Sequence, residues 1–172
     1  MGAFAEALVS TGPAAEHAEE LMLFGKFVGA WAVEVELRPP DGPVKKVSAD
    51  WIFEWVLQGR AVQDLYIVPP RAEQERTGEP AQVYGTTLRL YDPKSDSWLI
   101  TWASPLSATK QSFVARREGD EIVLEGVDPE GKQVRWIFYD IADGSYRWRA
   151  DAAVDGDGWK MVQAMTARRV RG

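Results

Sequence analysis

Cysteine and asparagine are absent from this chain of 172 residues, and histidine occurs once. Without thiols there is no disulfide framework, no thiolate nucleophile, no iron–sulfur cluster and no zinc site built on Cys. One imidazole, His17, excludes a multi-His metal centre and leaves a Ser–His–Asp triad a single residue to be built on. No metal and no cofactor is therefore expected. Without Asn there is no N-glycosylation sequon, and Arg outnumbers Lys, which together point to a bacterial source. Positive charge is also in deficit, with 20 Lys and Arg against 26 Asp and Glu, a net charge of −6. That balance argues against nucleic acid, whose phosphates require clustered basic residues. Long apolar runs are missing too, since none approaches the ~20 residues of a membrane span. The first residues lack the basic segment of a signal peptide, and Glu6 stands where a myristoylation motif needs Ser or Thr. The expectation is a cytoplasmic protein with no membrane partner; a homodimer is compatible with the sequence.

What the chain has in quantity is aromatic rings, 11% of its residues, including eight Trp. Their spacing gives the architecture. Residues 1–13 are expected to be disordered, and 14–28 to form a helix opened by Pro13, with Glu16, Glu19 and Glu20 near its positive end. Beyond Gly29 the apolar period falls from 3.6 to 2: Trp31, Val33, Val35 and Leu37 alternate with polar residues, as on a half-buried strand. About ten short strands follow one another to residue 169, separated by Gly, Asp and Pro turns such as Pro39–Pro43, Asp92–Asp96, 128–131 and 154–158. The polar stretch 71–81 reads as an exposed loop. No helical segment is long enough for a βαβ crossover, and an antiparallel meander of this length removes its edges by closing. The sequence thus predicts an all-β single domain over 1–172. It is an antiparallel up-and-down β-barrel across 30–169, with one short N-terminal helix.

In a closed barrel alternate residues face inward, so several rings must line one cavity. Trp51, Trp55, Tyr84, Trp102, Phe113, Trp136 and Trp148 are the candidate walls of a pocket for a small apolar or aromatic ligand. Arg60, Gln111 and Gln163 are candidate polar contacts. Asp64 shares a strand face with Val62, Tyr66 and Val68; if that face is inward, Asp64 is a candidate acid or base and Tyr66 a hydrogen-bond donor to an oxyanion. The opposite face, Ala61, Gln63, Leu65 and Ile67, is an equally regular alternative. Arg135, Arg147 and Arg149 fit an exterior ladder with Asp140 or Asp151. His17, among glutamates, is expected to be solvated, and the 154–158 turn lacks the later ligands of a calcium loop.

Several of these segments resemble a known group. Gly29-Ala30-Trp31, after a short helix and at the start of the first strand, is similar to the Gly-x-Trp signature of lipocalin-like (calycin) barrels. In those barrels a basic residue late in the last strand packs across the Trp ring; Arg168 or Arg169 occupies that place, and Arg168 is assigned the role beside Trp31. Gly59 to Asp64, Tyr91-Asp92-Pro93, Arg135-Trp136-x-Phe138 and the run from Trp159 to Arg168 resemble an uncharacterised bacterial branch of that group, from about residue 20 onward. The resemblance implies the barrel fold and leaves function open. Nitrobindin-like barrels also begin with Gly-x-Trp, but they ligate heme through a barrel His, whereas His17 lies in the helix. Two functions follow as expectations: an intracellular binding module, or a cofactor-free cyclase, isomerase or hydratase acting on a polyketide-like or terpenoid-like substrate. A heme or tetrapyrrole carrier is a third.

Overall fold

The computed structural model describes residues 2–156 and 158–171. Ten strands make the barrel: β2 (Gly29–Leu37), β3 (Lys45–Val56), β4 (Ala61–Val68), β5 (Val83–Asp92), β6 (Ser97–Ser104), β7 (Thr109–Glu118), β8 (Glu121–Val127), β9 (Gln133–Tyr139), β10 (Ser145–Ala153) and β11 (Trp159–Arg169). Each pairs antiparallel with its sequence neighbours, and β11 returns to pair with β2. The ring is continuous, so these strands have no free edge along most of their length. This is the expected antiparallel barrel. Asp157, in the 154–158 turn expected to form a hairpin, lies outside the described residues.

The first residues differ from expectation. Where disorder is expected, α1 (Ala3–Leu8) and the two-residue strand β1 (Val9–Ser10) are ordered. β1 pairs Val9 with Val56 and Ser10 with Trp55, just beyond the point where β2 ends its pairing at Gly29 and Phe53. It supplies backbone partners to the overhanging end of β3, a tertiary demand that local composition does not reveal. The expected helix over 14–28 is shorter, α2 (Ala18–Gly25), and the polar loop carries a small helix, α3 (Arg71–Thr77).

Helix α2 stoppers one end of the barrel. Glu19 and Glu20 occupy its first turn, and Leu21, Phe24 and Gly25 are buried. Gly25 is required by packing, since a Cβ there would run into the indole of Trp55. Phe24 meets Trp98 edge-on at 5.0 Å, and Phe27, just past the helix, meets Tyr146 at 4.8 Å. Both phenylalanines are completely buried, each stabilising the closed end by roughly 1.5–3 kcal/mol.

A second device locks that end. The Trp31 indole N–H donates to the Phe27 carbonyl at 2.7 Å. The guanidinium over the Trp31 ring, 4.2 Å from its centroid, belongs to Arg169 and not to Arg168. Arg169 also donates to the carbonyls of Lys26, Val28 and Asp143 at 2.8, 2.8 and 2.9 Å. The register decides the choice: Arg169 lies opposite Trp31, while Arg168 lies opposite Ala32 and is exposed. Gly29, with φ of +126°, sits under the guanidinium where a Cβ would collide with it.

Candidate functional site

Above the stopper the barrel holds a cavity of about 380 Å³. Its walls include four of the eight Trp: Trp51 from β3, Trp102 from β6, Trp136 from β9 and Trp148 from β10. The rings interlock as tilted and edge-on pairs, Trp136 with Trp148 at 5.6 Å and with Trp102 at 6.5 Å, an arrangement that suits the ring quadrupoles. Met165, Val68, Val83 and Ala150 are among the residues that extend the apolar surface, and Tyr66, Gln111 and Gln163 are among those that add polar groups. Of the expected contacts, Trp51, Trp102, Gln111, Trp136, Trp148 and Gln163 are brought together here.

The others fall elsewhere. Phe113 is buried behind the wall, its ring 4.1 Å from that of Trp136. Trp55 is buried at the closed end against α2 rather than in the cavity. Arg60 is exposed in the turn before β4 and donates to Gln58. Tyr84 points outward and is 40% exposed. It does so because β5 runs with Val83, Thr87 and Arg89 on the cavity side, and Gly85 shares their parity. Gly85 is the reason Trp102 fits: the indole lies against the bare backbone, where a Cβ would overlap it. Trp159 is also on the outside, 37% exposed, with Arg135 stacked 4.3 Å over its ring. That places it in the exterior ladder, where Arg135 and Arg149 donate to Asp151 at 2.9 and 3.3 Å. His17 packs edge-on against Tyr91 at 5.5 Å. No cluster that could hold a metal ion is present among the described residues.

The third barrel strand, β4, turns its Val62, Asp64, Tyr66 and Val68 face inward, and all four are buried. Asp64 is completely enclosed, and its oxygens accept from three donors. These are the Trp51 indole at 2.8 Å, the Thr87 backbone N–H at 2.9 Å and Arg89 Nη2 at 2.6 Å. Every close polar neighbour donates, so the carboxylate is arranged to hold Arg89 and Trp51 in place. Tyr66 lines the cavity beside it; burial pushes its phenol well above the ordinary value, with the Gln163 carboxamide acting in the opposite sense. The phenol therefore stays protonated across the physiological range and can donate a hydrogen bond.

Arg89 is the residue that sequence reasoning missed. It sits on the cavity floor, with its guanidinium 5.2 Å above the Phe24 ring and 5.0 Å from that of Phe53. The available signal was Asp64 itself, because a buried carboxylate demands a cation. Arg89 lies diagonally across the β4–β5 hairpin from it, where Val62 pairs with Arg89 and Asp64 with Thr87.

No family model and no curated protein sequence matches the chain. Among solved structures it is similar to Rv2717c from M. tuberculosis, with 16% identity and a TM-score of 0.62 over 90% of this chain and 99% of that one. It is also similar to the S-type phycobiliprotein lyase CPES from Guillardia theta, with 9% identity and a TM-score of 0.58 over 93% and 99% of the two chains. At such identities the likeness establishes the fold, a lipocalin-like closed barrel.

Proposed function

We propose that the protein is a binding module that takes a small apolar or aromatic molecule into the barrel cavity. The observation that carries this reading is the cavity of about 380 Å³ walled by four indoles, with a few convergent polar groups. Pockets that bind small molecules have this size and this mixture, typically ~300–1,000 Å³ and mostly apolar. The fold lends support without deciding the chemistry, since one neighbour of the same architecture is named as a lyase. Binding accounts for the site better than acid–base catalysis does, because the Asp64 oxygens are already engaged by three donors.

The four wall indoles supply the readout. Titration with flat aromatic compounds of graded size, with hemin included for the tetrapyrrole class, is expected to quench and shift the Trp emission saturably for the smaller members. Replacing Trp136 by Leu should weaken that response. If no compound in the series changes the emission, the binding reading fails.

A further inference from the structure

The chemistry of the cavity floor is lopsided. Arg89 Nε and Nη1 are buried without a hydrogen-bond partner, and so is the Trp148 indole nitrogen. Both residues line the cavity, and Arg89 is only 2% exposed. All three groups are donors with no capacity to accept. The Phe24 and Phe53 rings beside Arg89 attract its charge but offer no lone pair in the guanidinium plane. The charge, by contrast, is already settled, since Asp64 neutralises Arg89 at 2.6 Å. An anionic ligand on this floor would leave one uncompensated negative charge in an apolar enclosure, which is costly. An uncharged acceptor entering beside them, with the small side-chain shift that uncovers nitrogens this deeply buried, would satisfy the idle donors and leave the pair balanced.

From this we infer that the cavity selects ligands bearing a neutral hydrogen-bond acceptor, a carbonyl such as that of a ketone, quinone or lactone, on an apolar or aromatic body, with the carbonyl directed at Arg89. The inference rests on the binding reading above and narrows its ligand class. It sets this floor apart from one that captures carboxylates with an unpaired Arg.

Three probes of nearly one shape test it: 2-acetonaphthone, 2-isopropylnaphthalene and 2-naphthoate, each titrated against Trp emission. The ketone is expected to bind about tenfold or more tightly than the hydrocarbon, the increment of one hydrogen bond to a charged donor, and more tightly than the carboxylate. A double variant, Asp64→Leu with Arg89→Met, removes the polar floor without leaving an odd charge. It should lose the preference for the ketone, read as the ratio of the ketone and hydrocarbon affinities within the variant, because the release of Trp51 from Asp64 acts on both probes alike. Equal affinity for ketone and hydrocarbon would overturn the inference while leaving the binding reading intact. Tightest binding of 2-naphthoate would overturn it in favour of an anion site. If none of the three binds, the binding reading fails with it.

Discussion

Replacing Asp64 by Ala removes one half of an ion pair whose side chains are 0% and 2% exposed. The guanidinium left behind has no other carboxylate to turn to within the cavity lining. It would sit uncompensated above Phe24 and Phe53, while the Trp51 indole and the Thr87 N–H lose their acceptor. Breaking a buried pair from one side costs about 3–5 kcal/mol, and the two orphaned donors push the loss toward the upper end. For a chain of this size, 1 kcal/mol moves the midpoint by ~2–4 °C, so Asp64→Ala should melt about 6–20 °C below the parent. Arg89→Met should lose a comparable amount. The double variant Asp64→Leu/Arg89→Met should recover the share owed to the unpaired charge, while the Trp51 indole and the Thr87 N–H remain without their acceptor. Urea unfolding followed by far-UV circular dichroism, at matched m-values, measures all three. A single variant that costs less than ~1 kcal/mol would refute the reasoning. So would a double variant that costs the sum of the singles, since residues in direct contact must couple.

Three further outcomes follow from the same geometry. Arg169→Ala loses the contact over Trp31 and three hydrogen bonds to carbonyls, so chemical denaturation should register a loss of about 2–4 kcal/mol. Arg168→Ala should stay within ~0.5 kcal/mol of the parent, as a surface substitution does. Gly85→Val drives a side chain into the Trp102 indole, which overpacks the wall at about 1–3 kcal/mol. It should also weaken any ligand that quenches the Trp emission, and unchanged affinity would show that Trp102 does not depend on Gly85. Burial raises the phenols of Tyr66 and Tyr146 above their ordinary value. Their stabilising share is therefore intact below the unfolded-state pKa of ~10 and is lost as pH rises beyond it. Stability should fall above that pH with a slope that lessens by about 1.4 kcal/mol per pH unit for each Tyr→Phe change. Tyr146→Phe should be neutral or stabilising at pH 7, because its hydroxyl has no partner.

The barrel was legible in the sequence because period-2 alternation and Gly/Asp/Pro turns are local signals that agree with the global closure. Trp31, Val33 and Val35 on β2 are buried on one face as their spacing requires. The opening segment was not legible for the opposite reason: β1 exists only because the end of β3 needs backbone partners. Arg168 and Arg169 could not be separated by composition. A register shift of one residue exchanges them, and only the pairing of Arg169 with Trp31 decides.

Strand β5 shows why the site itself was only half readable. Read by hydrophobicity, Tyr84, Leu88 and Leu90 should face the core, yet Tyr84 and Leu90 are 40% and 38% exposed. The inward set is Val83, Gly85, Thr87 and Arg89, two of them polar and one without a side chain. Three of the four answer to residues on another strand. Gly85 makes room for Trp102 of β6, the Thr87 backbone caps Asp64 of β4, and Arg89 neutralises that same carboxylate. A rule that sends apolar residues inward fails where the interior carries a buried ion pair and a ring that needs bare backbone beside it. The inverted strand is thus itself a mark of the site. Its polar face is balanced in charge and unbalanced in hydrogen bonding, so a ligand of the proposed kind would bring it an acceptor rather than a counter-ion.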